Sequence, residues 1–195
     1  MALLSSTART QALRTLGFRG NQATMIKNFQ RGWNLGKWLV VDGLYGPNTD
    51  AALKKSLANH KAGRGDMSAH FSFGEFQCKC EGRFSSCQGV WENRVHVKRL
   101  EVLRAKIGTL KVVSGCRCVG HNKSVGGATS SQHLFGVSSD VPGQLTISQM
   151  KALKQFAGIG YSQSTGKVLH VDSRDLGGHN LTNGTPSNPT IWRYA

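Results

Sequence analysis

Three short apolar segments in the second half of the chain constrain the fold most. Residues 110–115 (LKVVSG), 134–141 (LFGVSSDV) and 167–173 (KVLHVDS) are shorter than typical helices and rich in β-branched residues, so they predict strands. Residues 93–106 and 146–157 carry apolar positions at helical spacing, so they predict helices. Short strands interspersed with helices predict an α+β fold.

The first third of the chain has a different pattern. Residues 7–60 read as helical with one sharp interruption, and Ile26, Phe29 and Trp33 fall on one helical face. The interruption contains Asp-Gly and Gly-Pro-Asn turn signals, and Asn48 or Thr49 can cap the helix that follows. We therefore predict a small three-helix unit.

Residues 61–70 (KAGRGDMSAH) are polar, contain glycine and have no clear apolar period. This composition is typical of a linker. The predicted organisation is an N-terminal domain over 1–62, a linker over 63–70 and a second domain over 71–195.

The chain is strongly basic. Its formal net charge is +15, and residues 1–65 carry ten lysines and arginines against two acidic residues. A basic surface favours polyanions such as nucleic acid, anionic lipid or the polymers of a cell wall. No nucleic-acid module is visible, so we expect no specific nucleic-acid partner. We also expect no membrane span and no secretory signal, because no apolar run is long enough.

The five cysteines leave several possibilities open. They lie at Cys78, Cys80, Cys87, Cys116 and Cys118, and they include two C-x-C pairs. An odd number leaves at least one cysteine unpaired in a scheme of intramolecular disulfides. A structural zinc site with four of them is a second possibility, although zinc sites usually show a wider C-x2-C spacing. Free buried thiols are the third.

Two histidines and a carboxylate form the candidate chemical site. In a strand over 167–173, His170 and Asp172 point to the same face, with Cα atoms about 6.5–7 Å apart. Such a pair is often only a structural hydrogen bond. Together with His133 and Asp140, however, His170 completes a set of two histidines and one carboxylate. Three protein ligands with a fourth position open are typical of a catalytic zinc ion.

The sequence resembles two known families. VDGLYGPNTDAAL, within residues 8–60, resembles the V-D-G-x-x-G-P-x-T-x-x-A signature of the peptidoglycan-binding domain of wall hydrolases. Residues 71–175 resemble the zinc D-alanyl-D-alanine peptidases, which share their fold with the hedgehog signalling domain. This second resemblance is carried by S-x-H-x-x-G-x-x-x-D at 131–140, by VVSGCRCVGHNKSVGGA at 112–128 and by the later strand with its histidine.

The second resemblance implies a small antiparallel sheet with flanking helices. It also implies that His133, Asp140 and His170 bind zinc, and that Arg117 binds substrate and stabilises an oxyanion. Ser131 would orient substrate or His133, or would be a simple turn residue.

One position departs from the family pattern. Many relatives carry an acidic general base three residues before the second histidine, where this chain has Lys167. The sequence LHVDS matches another branch of the family, which makes Asp172 a candidate general base. Asp172 could equally hold the ring of His170, since metal-binding histidines need an acceptor on the other nitrogen. His121 is a further candidate, and His179 is expected to be a surface or structural residue.

These features together predict a zinc-dependent peptidoglycan peptidase of the D,D-carboxypeptidase or endopeptidase type. We expect a monomeric phage endolysin, made in the cytoplasm without a signal peptide and released to the wall through a holin. The alternative is a non-catalytic wall-binding protein with a structural zinc site. The sequence leaves open which peptide bond is cleaved.

Overall fold

The structure, a computed structural model, describes residues 2–177 and 183–194. Its helices are α1 (Ser6–Thr15), α2 (Gln22–Gly32), α3 (Pro47–Lys61), α4 (Arg94–Ile107), α5 (Val119–Ser124) and α6 (Ile147–Ala152). Its strands are β1 (Ser138–Asp140), β2 (Gly158–Ser162), β3 (Val168–Asp172) and β4 (Thr190–Tyr194). In the described ranges, no helix is both long and apolar enough to cross a membrane.

The N-terminal helices begin where local chemistry favours a helix start. The Ser5 hydroxyl accepts a hydrogen bond from the Ala8 amide at the start of α1, and the Asn21 side chain does the same for Thr24 in α2. Helix α3 begins at Pro47, slightly before the predicted caps, since proline suits the first helical position. The three predicted N-terminal helices are therefore present.

The four strands form one mixed sheet in the order β1-β3-β2-β4. Strands β1 and β2 both pair antiparallel with β3, which confirms the predicted α+β fold with its small sheet and flanking helices. Strand β4 departs from the antiparallel pattern, because it runs parallel to β2. The reason is that β3 ends beside the start of β2, with Asp172 opposite Gly158. Strand β4 pairs with the edge of β2 that does not contact β3. Because β4 begins beside the start of β2, it runs in the same direction as β2.

Several local features differ from the predictions. The strand predicted over 134–141 covers only Ser138–Asp140, because residues 132–135 form a 3-10 turn that ends at the left-handed Gly136. Residues 110–115 make only one bridge to β1, from Ser114 to Asp140, instead of a strand. The helix predicted over 146–157 ends at Ala152, and the chain after it leads into β2. Strand β2 was not predicted because it contains Gly158 and Gly160, and glycine is disfavoured in strands.

The helical N-terminal part shares a hydrophobic core with the rest of the chain. Phe18 and Phe29 pack against Phe73, with ring centroids 4.9 and 5.6 Å from the Phe73 ring. Within the predicted linker, Met67 is fully buried and its carbonyl accepts a hydrogen bond from the Asn34 amide. The N-terminal helices are thus packed closely on residues 71–195, while the division into two domains stays a prediction.

Candidate metal centre

Three secondary-structure elements bring His133, Asp140 and His170 together. His133 lies in a 3-10 turn over Gln132–Phe135, and Asp140 ends β1. His170 lies in β3 directly opposite Asp140. Gly136 links the turn to β1 with φ of 63°, and a Cβ there would lie 2.3 Å from the Trp91 carbonyl oxygen. Glycine is therefore needed for the bend that carries His133 back toward Asp140.

The donor atoms of this group lie close enough to share one ion. Asp140 Oδ1 lies 3.2 Å from His133 Nε2 and 2.9 Å from His170 Nδ1. One ligand atom from each of the three residues lies within 4.8 Å of the others. Both histidines are buried, whereas Asp140 is partly exposed. Two imidazoles and a carboxylate are a donor set that would fit a catalytic zinc ion.

The second nitrogen of each histidine is also held. His133 Nδ1 lies 2.5 Å from the Gly115 carbonyl oxygen, to which it can donate a hydrogen bond. His170 Nε2 lies 3.4 Å from Asp172 Oδ2. Such outer contacts fix the orientation and tautomer of metal-binding histidines. They leave His133 Nε2 and His170 Nδ1 directed at Asp140.

The surroundings of Asp140 favour the ionised form of its side chain. Burial opposes its ionisation, but hydrogen bonds from His133 and His170 hold the pKa of Asp140 well below its usual value. Burial lowers the pKa of His133, which favours the neutral imidazole that a metal requires. Burial alone would lower the pKa of His170, but the hydrogen bonds that its ring donates to Asp140 and Asp172 outweigh burial and raise it. A proton on His170 therefore competes with a cation for this group.

Asp172 is fully buried beside His170 and pairs with Arg174. Its carboxylate accepts hydrogen bonds from Arg174 Nε at 2.9 Å and Nη2 at 2.7 Å. Burial opposes ionisation, but these contacts with Arg174, and that with His170, lower the pKa of Asp172. Gly158 leaves the space for this carboxylate, because a Cβ there would lie 2.3 Å from Asp172 Oδ2. This geometry fits a group that orients His170.

Arg117 and Ser131 also line the cavity above the histidines. The guanidinium group of Arg117 forms an ion pair with Asp140 through Nη2, and its Nε donates to the Ser114 hydroxyl at 3.0 Å. The Arg117 amide donates to the His133 carbonyl at 3.0 Å, which ties the two segments together. Ser131 precedes the 3-10 turn of His133 and is partly exposed. Both predicted substrate-binding residues thus lie beside the group.

Two other predicted positions lie apart from this cavity. His121 lies in α5 and is not among the residues that line the cavity. Lys167 lies immediately before β3, where its backbone bridges to Thr146. His179 lies outside the described residues.

The C-terminal strand supplies cavity residues that the sequence analysis missed. The Trp192 ring packs on His170 with centroids 5.2 Å apart, and the Arg174 guanidinium lies 4.9 Å from the Trp192 ring. Tyr194 points to the same face as Trp192, so both line the cavity of about 560 Å³. The alternation of apolar and polar residues in TIWRY is a signal for this strand, which lies beyond the last strand predicted from the sequence.

A comparison with protein families shows to which family the chain belongs. The family model of peptidase M15 matches residues 69–172, which is more than half of the chain. The chain belongs to the peptidase M15 family. No curated protein sequence matches it.

Membership in this family indicates a zinc metallopeptidase, and the donor set of His133, Asp140 and His170 fits that metal. The matched segment contains these three residues, Arg117 and Asp172. Trp192 and Tyr194 lie beyond it, so one wall of the cavity is built by residues outside the matched part of this M15 peptidase.

Proposed function

We propose that this M15 peptidase hydrolyses an amide bond in the stem peptide or cross-link of peptidoglycan, as a phage endolysin that lyses the host cell. The observation that carries the proposal is the group of His133, Asp140 and His170, whose two histidines line a cavity together with Arg117. Zinc, when bound by these ligands, supplies Lewis acidity that polarises a carbonyl group and favours the ionisation of water.

The protein's own residues would position the peptide at this group. Arg117 presents donors at the cavity, where a guanidinium group can stabilise the negative charge that develops on a carbonyl oxygen. Trp192 and Tyr194 line the same cavity and offer apolar surface for the peptide. Asp172 holds His170 through its outer nitrogen, so that the other ring nitrogen faces the metal position.

A groove in the N-terminal helices supports binding to the wall. It has a volume of about 740 Å³ and lies between α3 and the loop after α2. Its apolar side chains Trp38, Val40 and Leu44 are 45%, 75% and 70% exposed, and exposed apolar surface of this kind marks interaction sites. Gln30 shapes the loop, since its side chain donates to Asp42 and accepts from the Gly43 amide. Such a groove would concentrate the peptidase on its substrate.

The test uses purified walls and defined muropeptides. We expect the wild-type protein to reduce the turbidity of walls, and the activity to disappear with a chelator and in His133→Ala. Mass spectrometry of the released fragments would identify the bond, because a D,D-cross-link, a terminal D-Ala and an L-Ala-D-Glu bond give different masses. A protein that binds walls but releases no fragment, with or without zinc, would instead be a non-catalytic wall-binding protein.

Wall binding is tested separately. Trp38→Ala should reduce sedimentation of the protein with walls while hydrolysis of a small muropeptide stays at the wild-type rate. A second exposed apolar residue away from both cavities, Val102, gives the matched control through Val102→Ala. Equal sedimentation of both variants and the wild type would remove the groove from the proposal.

A further inference from the structure

Four of the five cysteines converge at a second place in the structure. Cys78, Cys80 and Cys87 lie in the loop between the 3-10 turn at 73–76 and α4, and Cys118 lies immediately before α5. The Sγ atoms of these four cysteines all lie within 4.8 Å of one another. All four side chains are buried, at 1–6% exposure, and none forms a disulfide. We call these residues the four-cysteine cluster.

The spacing of the sulfur atoms fits a tetrahedral metal ion. A Zn–S bond of about 2.3 Å places the four sulfur atoms of a tetrahedral site about 3.8 Å apart. The sulfur atoms of the cluster all lie within 4.8 Å of one another, a range that includes this spacing. Two disulfides would account for only two close sulfur pairs, whereas here all four sulfurs approach one another. Four-sulfur tetrahedral sites select zinc or iron–sulfur chemistry, and a single ion fits this compact group.

Backbone amides point at the sulfur atoms. The Cys118 amide donates to Cys78 Sγ at 3.3 Å, and the Gly89 amide donates to Cys87 Sγ at 3.5 Å. These contacts stabilise negative charge on sulfur, which a metal-binding thiolate carries. The loop reaches this shape through left-handed backbone at Glu81 and Gly82, with φ of 55° and 82°. Left-handed backbone at a residue such as Glu81 is uncommon outside sites where surrounding structure demands it.

The fifth cysteine is not part of the cluster. Cys116 Sγ accepts from the Trp91 amide at 3.3 Å and lies 3.6 Å from Glu92 Oε2. Cys116 is as buried as the cluster cysteines, at 1% exposure, and belongs to the same C-x-C pair as Cys118. It therefore provides a matched control for any cysteine substitution.

We propose that the four-cysteine cluster binds a structural zinc ion, separate from the ion of the peptidase site. Four thiolates fill the coordination sphere of zinc, so this site is closed and offers no position for substrate. The site would join the loop of residues 78–87 to the segment that carries Arg117, which lies between Cys116 and Cys118. Its ion would thereby fix the backbone from which Arg117 reaches Asp140.

The experiment measures metal content in the full chain purified without chelator. We expect about two zinc ions per chain in the wild type and in Cys116→Ser. We expect about one in Cys80→Ser/Cys87→Ser and about one in His133→Ala/His170→Ala, each by elemental analysis. The experiment measures zinc content and not wall hydrolysis. Its result can therefore be interpreted even if the protein does not hydrolyse peptidoglycan.

Cobalt substitution tests the ligands without relying on a cysteine variant that folds poorly. Cobalt in His133→Ala/His170→Ala should give the intense thiolate-to-metal charge-transfer band that histidine and carboxylate ligands do not produce. The proposal is overturned if this variant binds neither cobalt nor zinc. It is equally overturned if intact mass shows disulfides among the cluster cysteines, or if Cys80→Ser/Cys87→Ser is folded and keeps the wild-type zinc content.

Discussion

Replacing Asp172 with asparagine tests which of its two predicted roles the residue has. The carboxylate is fully buried, and it accepts three hydrogen bonds from Arg174, through the backbone amide at 3.1 Å, Nε at 2.9 Å and Nη2 at 2.7 Å. Its Oδ2 also lies 3.4 Å from His170 Nε2. Asparagine keeps the size of the side chain but removes the charge, and it places an amide donor where one acceptor oxygen stood.

Two losses follow from this geometry. Breaking a buried ion pair by removing one partner costs about 3–5 kcal/mol. Arg174 keeps 13% exposure and asparagine keeps one acceptor oxygen, so we expect a loss of about 2–3 kcal/mol in the free energy of unfolding at pH 7. An outer partner of a metal-binding histidine is worth about 10–100-fold in metal affinity. We therefore expect Asp172→Asn to bind zinc about 10–100-fold more weakly than the wild type.

The sign of the pH dependence follows from the lowered pKa of Asp172. A carboxyl group with a lowered pKa in the folded state stabilises the protein above its unfolded-state pKa of 3.8. That contribution is lost as the pH falls through the folded-state pKa. The stability difference between wild type and Asp172→Asn should thus be full at pH 7 and shrink in acid.

The assay is competition for zinc with a chromophoric chelator, combined with denaturant unfolding. Asp175→Asn is the matched control, because Asp175 forms a similar two-bond ion pair with Arg99 at 2.7 and 2.6 Å. That control should lose stability but keep wild-type zinc affinity. If Asp172→Asn keeps wild-type zinc affinity and loses turnover, the orienting role is refuted and Asp172 is the proton acceptor.

Three further predictions concern neighbouring features. Burial raises the pKa of Glu92 to about 8, so the wild type should lose stability as the pH rises from 4.5 towards 8. Glu92→Gln should remove this dependence of stability on pH. At pH 8 the variant should be more stable than the wild type by a few kcal/mol in denaturant unfolding, since one pKa unit corresponds to about 1.4 kcal/mol. The same pH dependence in both proteins would contradict the prediction. Trp192→Ala should lower kcat/KM about 10-fold, equivalent to ~1.4 kcal/mol, with Ile191→Ala, on the opposite face of β4, as the unaffected control. Gly158→Ala should displace the Asp172 carboxylate and weaken zinc binding while the circular dichroism spectrum stays that of a folded protein; wild-type affinity would show that the carboxylate has room to move.

The candidate site was accessible from the sequence because its residues lie in short motifs. The histidine and aspartate of residues 131–140, and the histidine of LHVDS, are recognisable without any knowledge of the sheet. Their proximity in space depends on the register in which β1 pairs with β3, placing Asp140 opposite His170. Register is set by long-range pairing and burial, which a linear pattern does not display.

Strand β2 could not be read from the sequence in the same way. Gly158 and Gly160 weaken the strand pattern of β2 in the sequence. Both glycines are required, because the Asp172 carboxylate occupies the space of a Cβ at Gly158 and the rings of Trp192 and Tyr194 occupy that space at Gly160. These reasons lie in partners distant in the sequence. The same applies to the cysteines, whose spacing along the chain is unusual for zinc although their sulfur atoms converge.

By itself, the sequence determined the fold class, the N-terminal helices and the identity of the ligand candidates, since each depends on local periodicity or a contiguous motif. Only the tertiary structure decided that Asp172 is held by Arg174, that β4 closes one wall of the cavity, and which four of five cysteines converge. These features depend on contacts between segments that are far apart along the chain. Their energies come from burial and pairing in three dimensions, so no local pattern of residues records them.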